Sequence, residues 1–121
     1  MKRILIAGGG TAGHIYPGLV VADAVKKRYP KTHVIFAATS RPIDSQVLST
    51  LDGIETMIQP IRPFRSNPIG LGQFARGWAR SYLQIRRLLR DKHIDAVLGL
   101  GGFGSSAAVA AAHRLGIRRA I

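Results

Sequence analysis

Gly8-Gly9-Gly10-Thr11-Ala12-Gly13-His14 decides the fold of this chain. It follows a short apolar run, Ile4-Leu5-Ile6-Ala7, and precedes an apolar-periodic segment from Pro17 to Tyr29. That order reads strand, glycine loop, helix. Such a loop leaves backbone N–H groups uncovered and aims them, with the helix dipole, at an anion such as a phosphate or diphosphate. His14 at the mouth of the helix separates this loop from ordinary dinucleotide loops. A titratable imidazole beside a phosphate cradle points to chemistry or recognition on a phosphorylated ligand.

Working outward, strand and helix patterns alternate. Arg3 to Ala7 reads as a buried strand. Pro17 to Tyr29 reads as a helix with Pro17 in its first turn, where a missing N–H costs nothing. Lys26-Lys27-Arg28 crowd its carboxyl end, where the dipole favours cations. His33 to Ala38 is a second strand. A short helix is expected from Ile43 to Leu51. Ile54 to Ile58 is a third strand, nearer an edge. Pro60, Pro63 and Pro68, with Asn67, Gly70 and Gly72, mark a long loop. A helix follows from Gln73 to Arg90, then a fourth strand from Asp95 to Leu100. A second glycine loop, Gly99-Leu100-Gly101-Gly102-Phe103-Gly104-Ser105-Ser106, opens an alanine-rich helix ending near Gly116. Ile117 to Ile121 begins another strand.

This alternation implies an α/β fold: a Rossmann-like parallel sheet with helices on both faces and right-handed connections. Ligands in such sheets bind beyond the carboxyl ends of the strands. Both glycine loops fall there and are expected to converge on one crevice. The chain reads as one domain, residues 1–121. It does not end like a finished one, so a fragment or a module completed by another chain is expected.

Bulk properties narrow the class. The chain has 121 residues, 46% of them hydrophobic, which argues against disorder. It has no cysteine, so disulfides and thiolate metal sites are excluded. No apolar run approaches the roughly 20 residues of a membrane span. The amino terminus lacks a signal-peptide core, so a cytoplasmic protein is the default expectation. Eighteen Lys and Arg against six Asp and Glu give a net charge of +12, which calls for an anionic partner.

Gly8, Gly10 and Gly13 satisfy G-x-G-x-x-G in a strand-to-helix setting. A dinucleotide site wants an acidic residue at the end of the second strand. Phe36-Ala37-Ala38-Thr39-Ser40-Arg41 offers none, although Arg41 can meet the 2′-phosphate of NADP. A tight turn without a ligand is the remaining alternative. His14 can be a helix cap, or it can be a base. A helix amino terminus disfavours the imidazolium and keeps the ring able to accept a proton.

Gly9-Gly10-Thr11-Ala12-Gly13-His14 with Tyr16-Pro17-Gly18-Leu19, and Gly99-Leu100-Gly101-Gly102-Phe103-Gly104-Ser105, together resemble the two glycine loops of a bacterial family. It is the peptidoglycan N-acetylglucosaminyltransferases of glycosyltransferase family 28. Their fold is GT-B, two Rossmann-like domains, and the resemblance covers the amino-terminal half only. Ala12 stands where the family usually has glycine, and Gly104 where it has a bulkier residue. The chain stops before the family's His-Glu-Gln-Asn segment and lacks the carboxy-terminal domain that holds most donor contacts.

The resemblance implies a metal-independent, inverting transfer that needs no cofactor. N-acetylglucosamine passes from UDP-N-acetylglucosamine to undecaprenyl-diphosphoryl-N-acetylmuramoyl-pentapeptide (lipid I), giving lipid II. His14 is the implied base. Gly10, Thr11, Ala12 and Gly13 are the implied contacts to donor or acceptor diphosphate. Gly101, Gly102, Phe103, Gly104 and Ser105 are implied to complete the acceptor site. This fragment alone is expected to be inactive. A two-chain transferase, with this chain as its acceptor-binding and membrane-docking subunit, is the alternative.

One helix bears on the membrane. Leu71, Phe74, Trp78 and Tyr82 recur at spacings of three or four, continued by Ile85 and Leu89. Arg76, Arg80, Arg86, Arg87 and Arg90 flank them. Such a helix suits the surface of an anionic bilayer. Ile85 and Leu89 are expected in the core. Leu71, Phe74, Trp78, Arg76 and Arg80 are the expected membrane contacts, at the cytoplasmic face. Nucleic acid is the partner that charge alone would offer. No recognisable DNA- or RNA-binding motif or stacking platform accompanies it, so none is expected.

Overall fold

The computed structural model describes residues 2–8, 12–39, 54–60 and 67–120. The elements run β1 (Arg3–Ala7), α1 (Ala12–Arg28), β2 (His33–Thr39), β3 (Glu55–Gln59), α2 (Pro68–Asp91), β4 (Ala96–Gly99), α3 (Phe103–Leu115) and β5 (Arg118–Ala120). All five strands are parallel, in the order β3-β2-β1-β4-β5. The order reverses between β1 and β4, so the switch point lies where the two glycine loops leave the sheet. The third strand stands at an edge, as its composition suggests.

Alternate residues of the central strands feed two cores. Leu5, Ala7, Ile35 and Ala37 face Ile85 and Leu89 of α2 and Ala107, Ala108, Ala111 and Ala112 of α3. Ile6, Val34, Phe36 and Ala38 face Ala22 with Leu19 and Val25 of α1. Helices on both faces explain why β1 and β2 read as continuous apolar runs rather than as alternating ones. The alanines of α3 let that helix lie close to the sheet and to α2.

Two helix starts differ from the sequence expectation. α1 begins at Ala12, so Pro17 lies inside the helix rather than in its first turn. Proline has no N–H to give to the carbonyl of Gly13, so α1 lacks one hydrogen bond near its start. α2 begins at Pro68, five residues before Gln73. Pro68 takes the first helical position, and the Asn67 side chain caps the helix by accepting from the Gly70 N–H at 2.6 Å. Gly70 sits in the first turn and Gly72 just beyond it, and the cap outweighs their low helix propensity.

Both long helices on that face end in Schellman turns. After α3 the left-handed residue is Gly116, with φ 70°. After α2 it is His93, with φ 52°; Ile94 N–H reaches back to the Leu89 carbonyl at 3.1 Å. The short helix expected over 43–51 lies outside the described residues.

Candidate active site at the carboxyl ends of the strands

β1 and β4 are neighbours, with Ala7 opposite Gly99. Pairing continues past the strand ends: Gly8 N–H donates to the Ala37 carbonyl at 3.1 Å, and Leu100 N–H donates to the Ala7 carbonyl at 2.9 Å. The bases of the two glycine loops are therefore stitched side by side at the switch point. The Leu100 side chain fills the angle between them. A Cβ on Gly8 would stand 2.7 Å from Leu100 Cδ1. On Gly18 it would stand 2.5 Å from Leu100 Cδ1 and 2.9 Å from Phe36 Cε2. These two glycines are set by packing: the second loop's leading side chain occupies their missing methyl groups.

The second loop is glycine for a backbone reason. Gly101 and Gly102 have φ of 93° and 72°, the left-handed region that side chains disfavour. Gly102 caps α3 without a side chain, and Ser105 Oγ donates to the Gly102 carbonyl at 3.2 Å. Neither α1 nor α3 has an acidic residue in its first turn. Two helix amino termini without acidic first turns thus open at the same end of the sheet, a setting suited to a diphosphate.

Among the expected site residues, Ala12, Gly13 and His14 form the first turn of α1. Gly10 and Thr11 lie outside the described residues. Gly101, Gly102, Phe103, Gly104 and Ser105 run from the β4 end into the first turn of α3, with Gly104 and Ser105 buried. Among the described residues no three His, Asp or Glu side chains gather as a metal site would require.

One residue that the sequence reading passes over is Gln59, one position beyond the expected strand end. Its side chain is wholly buried, and Nε2 donates to the Gly104 carbonyl at 2.6 Å.

On α2, Ile85 and Leu89 are core, as expected. Trp78, an expected membrane contact, lies between the core and the surface. Its indole is half-buried against the core, stacks on Tyr82 at 5.5 Å, and donates to Ser106 Oγ at 3.0 Å. Helix α3 supplies a polar partner for the indole N–H, so the ring turns inward. The residues left outside at the helix start are Ile69, 75% exposed, and Leu71, 45% exposed, with Arg76 and Arg80 exposed beyond them. Phe74 is half-buried. Among the described residues no helix is long and apolar enough to cross a membrane.

The family described as Glycosyltransferase family 28 N-terminal domain matches residues 4–121. The chain belongs to that family. Among curated relatives of this glycosyltransferase family 28 domain is one from Clavibacter michiganensis, 39% identical over 118 residues. It is named UDP-N-acetylglucosamine–N-acetylmuramyl-(pentapeptide) pyrophosphoryl-undecaprenol N-acetylglucosamine transferase; the match covers 97% of this chain and 32% of that protein. A protein of the same name from Syntrophus aciditrophicus is 35% identical, with 98% and 33% covered. The chain thus spans about a third of the length of these relatives.

Among solved structures, Acinetobacter baumannii MurG superposes with a TM-score of 0.81 at 23% identity, over 98% of this chain and 34% of that one. Phytolacca americana UGT2, complexed with UDP-2-fluoro-glucose and pterostilbene, gives 0.71 at 18% identity, over 98% and 30%. At these identities the likeness establishes the Rossmann-like GT-B half and nothing finer.

Proposed function

We propose that residues 1–121 are the amino-terminal, acceptor-side domain of a transferase that passes N-acetylglucosamine from UDP-N-acetylglucosamine to lipid I. The observation that carries this is the stitched pair of glycine loops, set in a domain whose curated relatives bear that activity in their names over nearly its whole length. A second domain, of the size those relatives have, supplies most of the donor site.

In the proposed reaction the 4-hydroxyl of the acceptor's N-acetylmuramoyl sugar attacks the anomeric carbon. The bond to UDP breaks, the configuration inverts, and UDP leaves with the electron pair. His14 accepts the hydroxyl proton. It stands in the first turn of α1, and a base positioned there is what the reaction requires. Gly10, Thr11, Ala12 and Gly13 hold one diphosphate with backbone N–H groups, and Gly101, Gly102, Phe103, Gly104 and Ser105 complete the acceptor side. No metal or cofactor takes part.

The acceptor is lipid-anchored, so the domain works as a peripheral protein at the cytoplasmic face of an anionic membrane. Leu71 and Phe74, with Ile69 added by the structure, meet the acyl boundary. Arg76 and Arg80 meet the headgroups, each worth about 1 kcal/mol near such a surface. Trp78 braces this face from behind. Reversing both charges should weaken binding to anionic vesicles by about tenfold or more in a sedimentation assay; unchanged binding would remove the membrane assignment.

The catalytic part is tested by His14→Ala in the full-length gene product. Loss of a general base lowers kcat by about 10²- to 10⁴-fold. Near-normal turnover would show that His14 is not the base.

A further inference from the structure

The one fully buried residue of edge strand β3 is not apolar. Its burial runs from half-exposed Glu55 through exposed Thr56 and Ile58 to Gln59, which has no exposed surface. Gln59 is the last residue of the strand, opposite Thr39 of β2. Its Nε2 donates to two carbonyls: Gly104 at 2.6 Å, in the first turn of α3, and Ala37 at 3.4 Å, in β2. Its Oε1 is buried and has no partner among the described residues.

Such an arrangement is costly. An unpaired buried amide oxygen forfeits about 1–3 kcal/mol. Methionine has nearly the same length and would fill the space without that loss. What glutamine adds is a neutral group with two N–H donors, able to bridge two carbonyls on different elements. A lysine or arginine would bring a buried charge instead.

The loop it grips has few anchors of its own. Gly101 and Gly102 carry no side chains, α3 lacks a side-chain cap, and Ser105 Oγ donates back to the Gly102 carbonyl. Leu100 at the base of the loop is tied to the Ala7 carbonyl of β1, and α2 holds Ser106 through Trp78 Nε1. The position of the second glycine loop is therefore fixed from outside.

We propose that Gln59 is a positioning residue for the acceptor site: its amide sets the first turn of α3, and with it the N–H groups of the second glycine loop, against the sheet. This rests on the reading of that loop as acceptor-side. Displacement of a binding element by about 1 Å can cost up to a hundredfold in rate, so a clamp of one amide is a lever on how the acceptor is held.

The test uses the full-length gene product, UDP-N-acetylglucosamine and a short-chain lipid I analogue. Gln59→Met keeps the side-chain length and removes both donors. It should raise KM for the lipid analogue by about tenfold, leave KM for the sugar nucleotide within about twofold, and leave Tm nearly unchanged. Gln59→Glu guards against a folding failure of the first variant. Its carboxylate lacks a donor and its carboxylic acid has one, so its acceptor-KM defect should shrink as pH falls from 8 to 6 relative to the unaltered protein. Gly102→Ala strains the loop itself and tests the underlying reading. If it raises acceptor KM while neither Gln59 variant does, the Gln59 proposal fails alone. Should it leave acceptor KM untouched, the loop is not acceptor-side and both fall. A fall in Tm with both KM values rising together would make Gln59 merely structural and overturn the proposal.

Discussion

Replacing Gly18 by alanine tests whether the two glycine loops are locked by packing. The new methyl carbon would lie 2.5 Å from Leu100 Cδ1, 2.9 Å from Phe36 Cε2 and 3.1 Å from Phe36 Cζ. Carbon atoms prefer about 3.5–4.0 Å, so the overlap with Leu100 is about 1 Å. Leu100 is half-buried and can swing, but Phe36 has no exposed surface and is held on the α1 face of the sheet. Overpacking of this kind costs about 1–3 kcal/mol. Alanine in a helix returns about 0.5–1 kcal/mol of what glycine loses. The clash wins, leaving a net loss of about 0.5–2 kcal/mol. Urea unfolding would measure it. Introduced in a Leu100→Ala background, the same change should cost about 1 kcal/mol less, because the nearest clashing atom is gone. A Gly18→Ala protein as stable as the original, or more so, would refute the reasoning; so would a loss that Leu100→Ala does not relieve.

His93→Gly should stabilise by about 0.5–1 kcal/mol, seen as a raised Tm, because the site already has φ 52° and a side chain gains nothing there. Glu55 accepts from Lys92 Nζ at 2.6 Å and is paired with His33 Nε2 at 2.7 Å. Those two contacts, Lys92 first, hold its carboxyl below the usual value. A carboxyl lowered on folding contributes stability above its unfolded pKa and loses it as pH falls through the folded one. The Tm difference between the original and Glu55→Gln should therefore be present at pH 7 and shrink as the solution is acidified below the ordinary carboxylate range. With all three side chains over a third exposed, it should stay within about 1 kcal/mol.

The sheet was legible because parallel strands buried on both faces leave continuous apolar runs, as in Leu5-Ile6-Ala7 and Val34 to Ala38. The glycine loops were legible for a related reason: left-handed φ at Gly101 and Gly102 and close approach at Gly8 restrict those positions to one residue type. Helix starts were harder. Pro68, Gly70 and Gly72 read as loop because local propensity says so, while a single Asn67 cap reversed the outcome. Spacing places Trp78 on a helix face but says nothing of the partner its indole N–H finds. Ser106, 28 residues away in sequence, supplied one. Gln59 was invisible for the same reason: its role depends on Gly104, 45 residues on. Contacts that join distant elements are set by topology, and no local pattern announces them.

The most direct measurement is sugar transfer from labelled UDP-N-acetylglucosamine to a short-chain lipid I analogue by the full-length gene product. The account predicts a product with the new glycosidic bond at the acceptor's 4-position and inverted anomeric configuration, formed without added metal. A folded protein that binds the analogue yet transfers nothing, or that transfers with retention, would contradict it.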